Sequence, residues 1–165
     1  MAAIDGDHVD ANAQVIRDFY GAFQRRDGDA MAAAYHPDVH FSDPVFTDLR
    51  GARAGAMWQM LCARAKDLRV DFTDVVADER TGRAHWEARY TFSTGRAVHN
   101  RIDATFEFQD GLIIRHTDRF DLHRWAAQAL GLPGRLFGGM PWFQRKIRAT
   151  AMAGLERHLE GRTSG

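Results

Sequence analysis

Between residues 68 and 122, apolar and charged side chains alternate with period two through four stretches, 68–77, 83–92, 98–109 and 112–122. This repeat limits the fold more than any other property of the chain. Successive side chains on a strand point to opposite faces, so such alternation marks strands with one wet and one buried side. Thr81-Gly82, Thr94-Gly95 and Asp110-Gly111 separate the stretches and read as tight turns. An antiparallel meander with one polar face must cover its apolar face with helices.

The cover comes earlier in the chain. Ile16, Phe19, Tyr20 and Phe23 recur at helical spacing over residues 12–26. Gly28 can close that helix, and Asp29 can cap a short Ala-rich helix that runs through Tyr35 until Pro37 stops it. A strand over 39–43 ends at Pro44, and Met57, Leu61 and Ala65 mark a third helix within 51–66. After the meander, 123–130 reads as a short helix, 131–139 as a Gly/Pro-broken connection and 141–158 as a last helix. Its stripe of Phe143, Ile147, Ala151, Leu155 and Leu159 suits an intramolecular cap. The expected architecture is α+β: a cone-shaped, curved antiparallel β-sheet wrapped around N-terminal helices, with an extra C-terminal helical extension. Residues 1–11 form a flexible N-terminus, 12–125 the cone domain, and 126–165 the extension packing on or capping it.

The final stretch carries an anomaly. Alternation places Leu112, Ile114, His116, Asp118, Phe120 and Leu122 on the inner face, so two ionisable groups sit amid apolar neighbours. Burying an unpaired charge costs several kcal/mol, and such groups cluster at functional sites. Asp43 is a second acid on an apolar face, beside Val39 and Phe41. Asp118, His116 and Asp43 are therefore the candidate catalytic residues. A structural ion pair is the alternative for the first two, and a turn-starting or capping role for the third. Tyr20, Phe41, Trp58, Trp86, Tyr90, Asn100 and Phe106 are the candidate ligand-binding residues.

Other chemistry finds little support. A metal held by His116 and Asp118 would need Asp43 as its third ligand with no local ligand motif behind it, so neither a metal nor another cofactor is expected. Ser42 lies off the inner face, and no Gly-x-Ser-x-Gly elbow occurs. Cys62 reads as a small buried hydrophobe. With 22 basic and 22 acidic residues among 165, no global field points to nucleic acid. No apolar run approaches the ~20 residues needed to span a bilayer. The single cysteine and the lack of a signal-peptide pattern suggest a cytoplasmic protein.

The order helix, helix, strand, helix and then a meander of long strands resembles the nuclear transport factor 2-like superfamily over residues 12–125. Phe41-Ser42-Asp43-Pro44-Val45 resembles the catalytic-acid segment of ketosteroid isomerases. Thr117-Asp118-Arg119-Phe120-Asp121 resembles the last-strand acid segment of SnoaL-like polyketide cyclases and limonene-epoxide hydrolases. The resemblance puts the isomerase base on Asp43, the oxyanion tyrosine on Phe19 with Tyr20 one step on, and the protonated acid on Ala104. It implies a cofactor-independent acid/base enzyme, of isomerase, cyclase or hydrolase type, acting on a small hydrophobic carbonyl or cyclic compound. A non-catalytic module binding an apolar small molecule or peptide is the alternative. Family habit and the mixed charges of the outer face suggest a homodimer paired through the sheet.

Overall fold

The computed structural model describes residues 4–165, with side chains from residue 11 onward. Helix α1, Ile4–Gln24, starts well before residue 12; residues 1–3 of the expected flexible tail lie outside the described residues. It is followed by α2 (Gly28–Ala33), β1 (Tyr35–Ser42), β2 (Leu49–Arg50) and α3 (Ala52–Arg64). The meander comprises β3 (Arg69–Ala77), β4 (Thr81–Thr91), β5 (Ala97–Gln109) and β6 (Leu112–Arg119). Helices α4 (Leu122–Leu130), α5 (Leu132–Phe137) and α6 (Pro141–Thr163) complete the chain. The α+β class and the C-terminal extension are as the alternation and helical spacing predict.

All six strands form one curved sheet in the order β2-β1-β6-β5-β4-β3. It is mixed rather than wholly antiparallel, because β1 runs parallel to β6 while every other neighbouring pair is antiparallel. The long connection from β1 to β6 through α3 and three strands permits this pairing, which a tight hairpin could not.

Several local expectations change. Tyr35 opens β1 instead of closing α2, because Pro37 disfavours helical backbone at the residue before it and pushes the chain into extended conformation. Asp27, not Asp29, caps α2, its carboxylate accepting the Ala30 N–H at 3.0 Å. Gly28 serves close packing instead of chain reversal: a Cβ there would lie 2.6 Å from Gln59 Cα, while Arg26 takes the left-handed conformation at φ 57°. The Gly/Pro-broken connection contains the six-residue α5, with Pro133 in its first turn.

Strict alternation fails once in β6. Glu107 pairs with Arg115 but Phe108 pairs with Ile113, so Ile114 is a bulge residue, and Ile113, fully buried, takes the inward position expected of Ile114. Beyond the bulge His116 and Asp118 point inward as predicted. They enter a core where Ile16, Phe19, Tyr20 and Phe23 of α1 meet Met57 and Trp58 of α3 over the sheet's concave face. Helix α6 packs on α3 with Leu155 fully buried, and Arg148 donates to the Pro44 carbonyl at 2.9 Å. The expected apolar stripe thus finds its partner within the chain, through Ala151, Leu155 and Leu159.

Candidate functional site

The parallel register of β1 on β6 sets Phe41 against His116 and Ser42 against Thr117. The strand ends at Ser42, and Asp43, the next residue, lies near enough to Asp118 for the two charges to interact. The two acids that sequence placed on separate apolar faces therefore share one corner of the molecule.

Around them runs a chain of buried hydrogen bonds. Trp58 Nε1 donates to Tyr35 Oη at 2.7 Å, Tyr35 Oη bonds His116 Nδ1 at 2.8 Å, and His116 Nε2 bonds Asp118 Oδ1 at 2.9 Å. Trp86 Nε1 reaches the same carboxylate oxygen at 3.3 Å. Donor arithmetic sets the proton positions. The Tyr35 oxygen already accepts from Trp58, so its single proton is best used on His116 Nδ1, leaving Nε2–H to donate to Asp118. The arrangement holds the imidazole in one orientation between tyrosine and carboxylate.

Packing immobilises that imidazole. Its ring lies 4.4 Å from Phe106, 5.0 Å from Phe41 and 5.5 Å from Phe19 by centroids, and stacks on Trp58 at 6.0 Å and 10°. His116 is 0% and Asp118 3% exposed. Aromatic rings fill the interior around the pair. One cleft, of about 470 Å³, has Phe106 in its lining together with Ala77, Gly82, Thr105 and Arg115, and a second, of about 480 Å³, is lined by Gln24, Arg69 and Arg89.

Asp43 differs from Asp118 in being only half-buried. Its carboxylate accepts the Val45 N–H at 2.7 Å and the Phe46 N–H at 2.6 Å, closing the turn begun by Asp-Pro. Burial, aided by repulsion from Asp118, pushes its pKa up to about 7 against the lowering effect of those two N–H groups. Tyr20 has a fully buried hydroxyl without a hydrogen-bond partner among the described residues. Burial first, then the charge of Asp118, raises its pKa well above the ordinary tyrosine value.

The remaining predicted site residues divide into two groups. Phe41, Trp58, Trp86 and Phe106 surround the hydrogen-bonded chain. Tyr90 and Asn100 lie each four residues along their strands from Trp86 and Ala104, roughly 13 Å away. There Tyr90 Oη accepts from Trp125 Nε1 of α4 at 2.8 Å, so it belongs to the seam under that helix. Asp103 sits on the outer face, where it bonds His85 at 2.9 Å, and no bulge brings it inward. Cys62 is buried and free, its thiol pushed up to about 11 mainly by burial. Sequence reading ended a helix at Tyr35; the constraint that Pro37 puts on His36 was the available sign that Tyr35 opens a strand.

A family model described as a SnoaL-like domain matches residues 16–116. Among solved structures, an LEH-like epoxide hydrolase of Mycobacterium tuberculosis is 22% identical with a TM-score of 0.64, covering 78% of this chain and 96% of its own. A candidate polyketide cyclase of Xanthomonas campestris pv. campestris is 25% identical with a TM-score of 0.62, covering 73% and 98%. A candidate ketosteroid isomerase of Kribbella flavida is 17% identical at 0.56, covering 68% and 79%. No curated protein matches the chain. The mixed sheet wrapped on three helices, the paired acids at its corner and the match over residues 16–116 lead to one assignment: the chain belongs to the SnoaL-like domain family of the nuclear transport factor 2-like fold.

Proposed function

We propose that the protein is a cofactor-independent acid/base enzyme acting on a small hydrophobic carbonyl or cyclic compound, with Asp43 and Asp118 as its working acids. The observation that carries this reading is a half-buried carboxyl of pKa about 7 beside a second, buried carboxyl. A group that is half-protonated near neutrality can both take and return a proton, the condition under which general acid/base catalysis works best. Asp43 is the member accessible enough to meet a substrate. Burial, with the charge of the adjacent Asp118 adding to it, keeps Asp43 basic enough. The Tyr20 hydroxyl is a donor in reserve for an oxygen on which charge develops. Relatives on this fold described as an epoxide hydrolase, a polyketide cyclase and a ketosteroid isomerase support acid/base chemistry as the class.

The test is a panel of small enones, lactones and hydroxylated ketones. The expected result is a reaction whose kcat/KM rises with pH through about 7 and falls roughly 100-fold or more in Asp43→Asn, with a comparable loss in Asp118→Asn. Full-rate turnover surviving both substitutions would remove these acids from the chemistry. One observation favours the alternative of a non-catalytic apolar binder: His116 and Asp118 have almost no exposed surface. That reading predicts saturable binding of apolar ligands with no turnover to lose.

A homodimer through the sheet belongs to the same proposal. The outer face alternates charges that satisfy one another within it, as Arg115 with Glu107 at 3.0 Å and His85 with Asp103 at 2.9 Å, and a two-fold axis could re-pair them across subunits. Light scattering should give twice the chain mass; a monomer at every accessible concentration would exclude the pairing.

A further inference from the structure

Six large hydrophobic side chains stand exposed among the described residues, and five of them, Leu132, Leu136, Phe137, Met140 and Trp142, fall within residues 132–142. They form one patch at the corner where α5 meets α6. The Phe137 and Trp142 rings are 5.6 Å apart, Phe143 lies 5.5 Å from Trp142, and Trp142 Nε1 donates to Met140 Sδ at 3.3 Å. Leu132 and Leu136, one helical turn apart, share a side of α5.

This corner is held in place by close packing. A Cβ at Gly134 would lie 1.9 Å from the Ala126 carbonyl oxygen, and one at Gly138 would lie 2.9 Å from His123. Helix α5 is therefore in backbone contact with α4, an approach that only glycine allows, and His123 Nε2 bonds the Arg135 carbonyl at 2.9 Å. The chain packs α5 tightly through its glycines while turning its large apolar side chains toward solvent. Apolar surface displayed so rigidly marks an interaction site.

Charge identifies the occupant. Residues 122–155 contain no aspartate or glutamate and carry Arg124, Arg135, Arg145, Lys146 and Arg148, in a protein with 22 acidic and 22 basic residues in all. A second copy seated two-fold on this patch would oppose these cations with their own equivalents. A nucleic acid would engage the cations and leave Leu132, Leu136 and Met140 in water. An anionic bilayer satisfies both halves, taking the apolar side chains into the acyl boundary and the cations among its headgroups. No helix among the described residues is long and apolar enough to cross a membrane, so the contact is peripheral.

We infer that the α5–α6 corner, through Leu132, Leu136, Phe137, Met140 and Trp142 with Arg135, Arg145 and Lys146, docks the protein on the surface of an anionic lipid bilayer. This docking is independent of the chemistry at Asp43 and Asp118.

The full chain is mixed with phosphatidylcholine vesicles made with and without phosphatidylglycerol, and partitioning is followed by co-sedimentation and tryptophan emission. The expected result is binding to the phosphatidylglycerol vesicles that weakens with salt, with a blue shift that Trp142→Phe largely removes. Arg145→Glu combined with Lys146→Glu should weaken partitioning by about 30-fold or more, at about fivefold per cation lost. Leu136→Ser combined with Trp142→Ser should weaken it by at least about tenfold. All four positions are exposed or nearly so, and unchanged circular dichroism and melting temperature would confirm that each variant folds. Three outcomes overturn the inference: no vesicle binding even at low salt, vesicle binding indifferent to the Leu136 and Trp142 substitutions, or self-association or nucleic-acid binding through the patch in place of vesicle binding.

Discussion

Asp43→Asn raises the melting temperature above pH 7 and leaves it nearly unchanged near pH 4. The folded state holds the Asp43 carboxyl at about 7 against an ordinary value of 3.8, so it binds that proton more tightly than the unfolded chain does. The resulting stability is fully present below about pH 4 and is lost as the pH climbs through about 7. Above that, the fold carries a half-buried carboxylate beside Asp118, a difference worth as much as about 4 kcal/mol. Asparagine keeps an oxygen to accept the Val45 and Phe46 N–H groups and never ionises. For a chain of this length, a melting temperature higher by about 5–10 °C at pH 8 follows if most of that difference is realised. Calorimetry at pH 4, 6 and 8 measures it. A gap between the two proteins that does not widen with pH would mean that Asp43 titrates as an ordinary surface acid.

His116→Phe destabilises the protein by about 3–5 kcal/mol at neutral pH, even though a phenyl ring fits among Phe106, Phe41 and Trp58 nearly as well as an imidazole. What is lost is polar: the Tyr35 hydroxyl keeps the Trp58 donor but loses its acceptor, and Asp118 keeps only the 3.3 Å bond from Trp86. Against a usual total of about 5–15 kcal/mol this is a large fraction, visible as a lower urea midpoint. Adding Asp118→Leu to His116→Phe should restore part of the loss, because an apolar pair leaves no buried charge unpaired. If His116→Phe unfolds at the same urea concentration as the parent chain, the Trp58-Tyr35-His116-Asp118 series contributes nothing to the fold.

The elements with strict periodicity could be read from the sequence alone. Period two located β3 to β6 within a few residues and turned His116 and Asp118 inward, while helical spacing located α1, α3 and α6. Three kinds of feature escaped. Strand β2 is only two residues long, too short to show any period, and exists because His40 and Phe41 supply its partners. The parallel pairing of β1 with β6 joins residues some 75 positions apart, and nothing in either stretch announces the other. The third feature was the hydrogen-bonded chain. Alternation can place a tyrosine or a tryptophan on a face, but it cannot show that the Trp58 and Trp86 N–H groups both point into one polar series. The neighbourhood of Asp43 and Asp118 is a product of tertiary register, although each acid was separately conspicuous.

The bulge at Ile114 divides β6 into two phases. In an unbroken strand, residues 113 and 116 fall on opposite faces, so burying Ile113 would carry Arg115, Thr117 and Arg119 into the aromatic interior and turn His116 and Asp118 out to water. One supernumerary residue lets the apolar beginning and the polar end of the strand satisfy contrary parities. It also acts as an insulator. A change of length at the Asp110-Gly111 turn can be absorbed at Ile114 before it reaches His116, leaving evolution free to remodel that hairpin while the acid corner keeps its geometry.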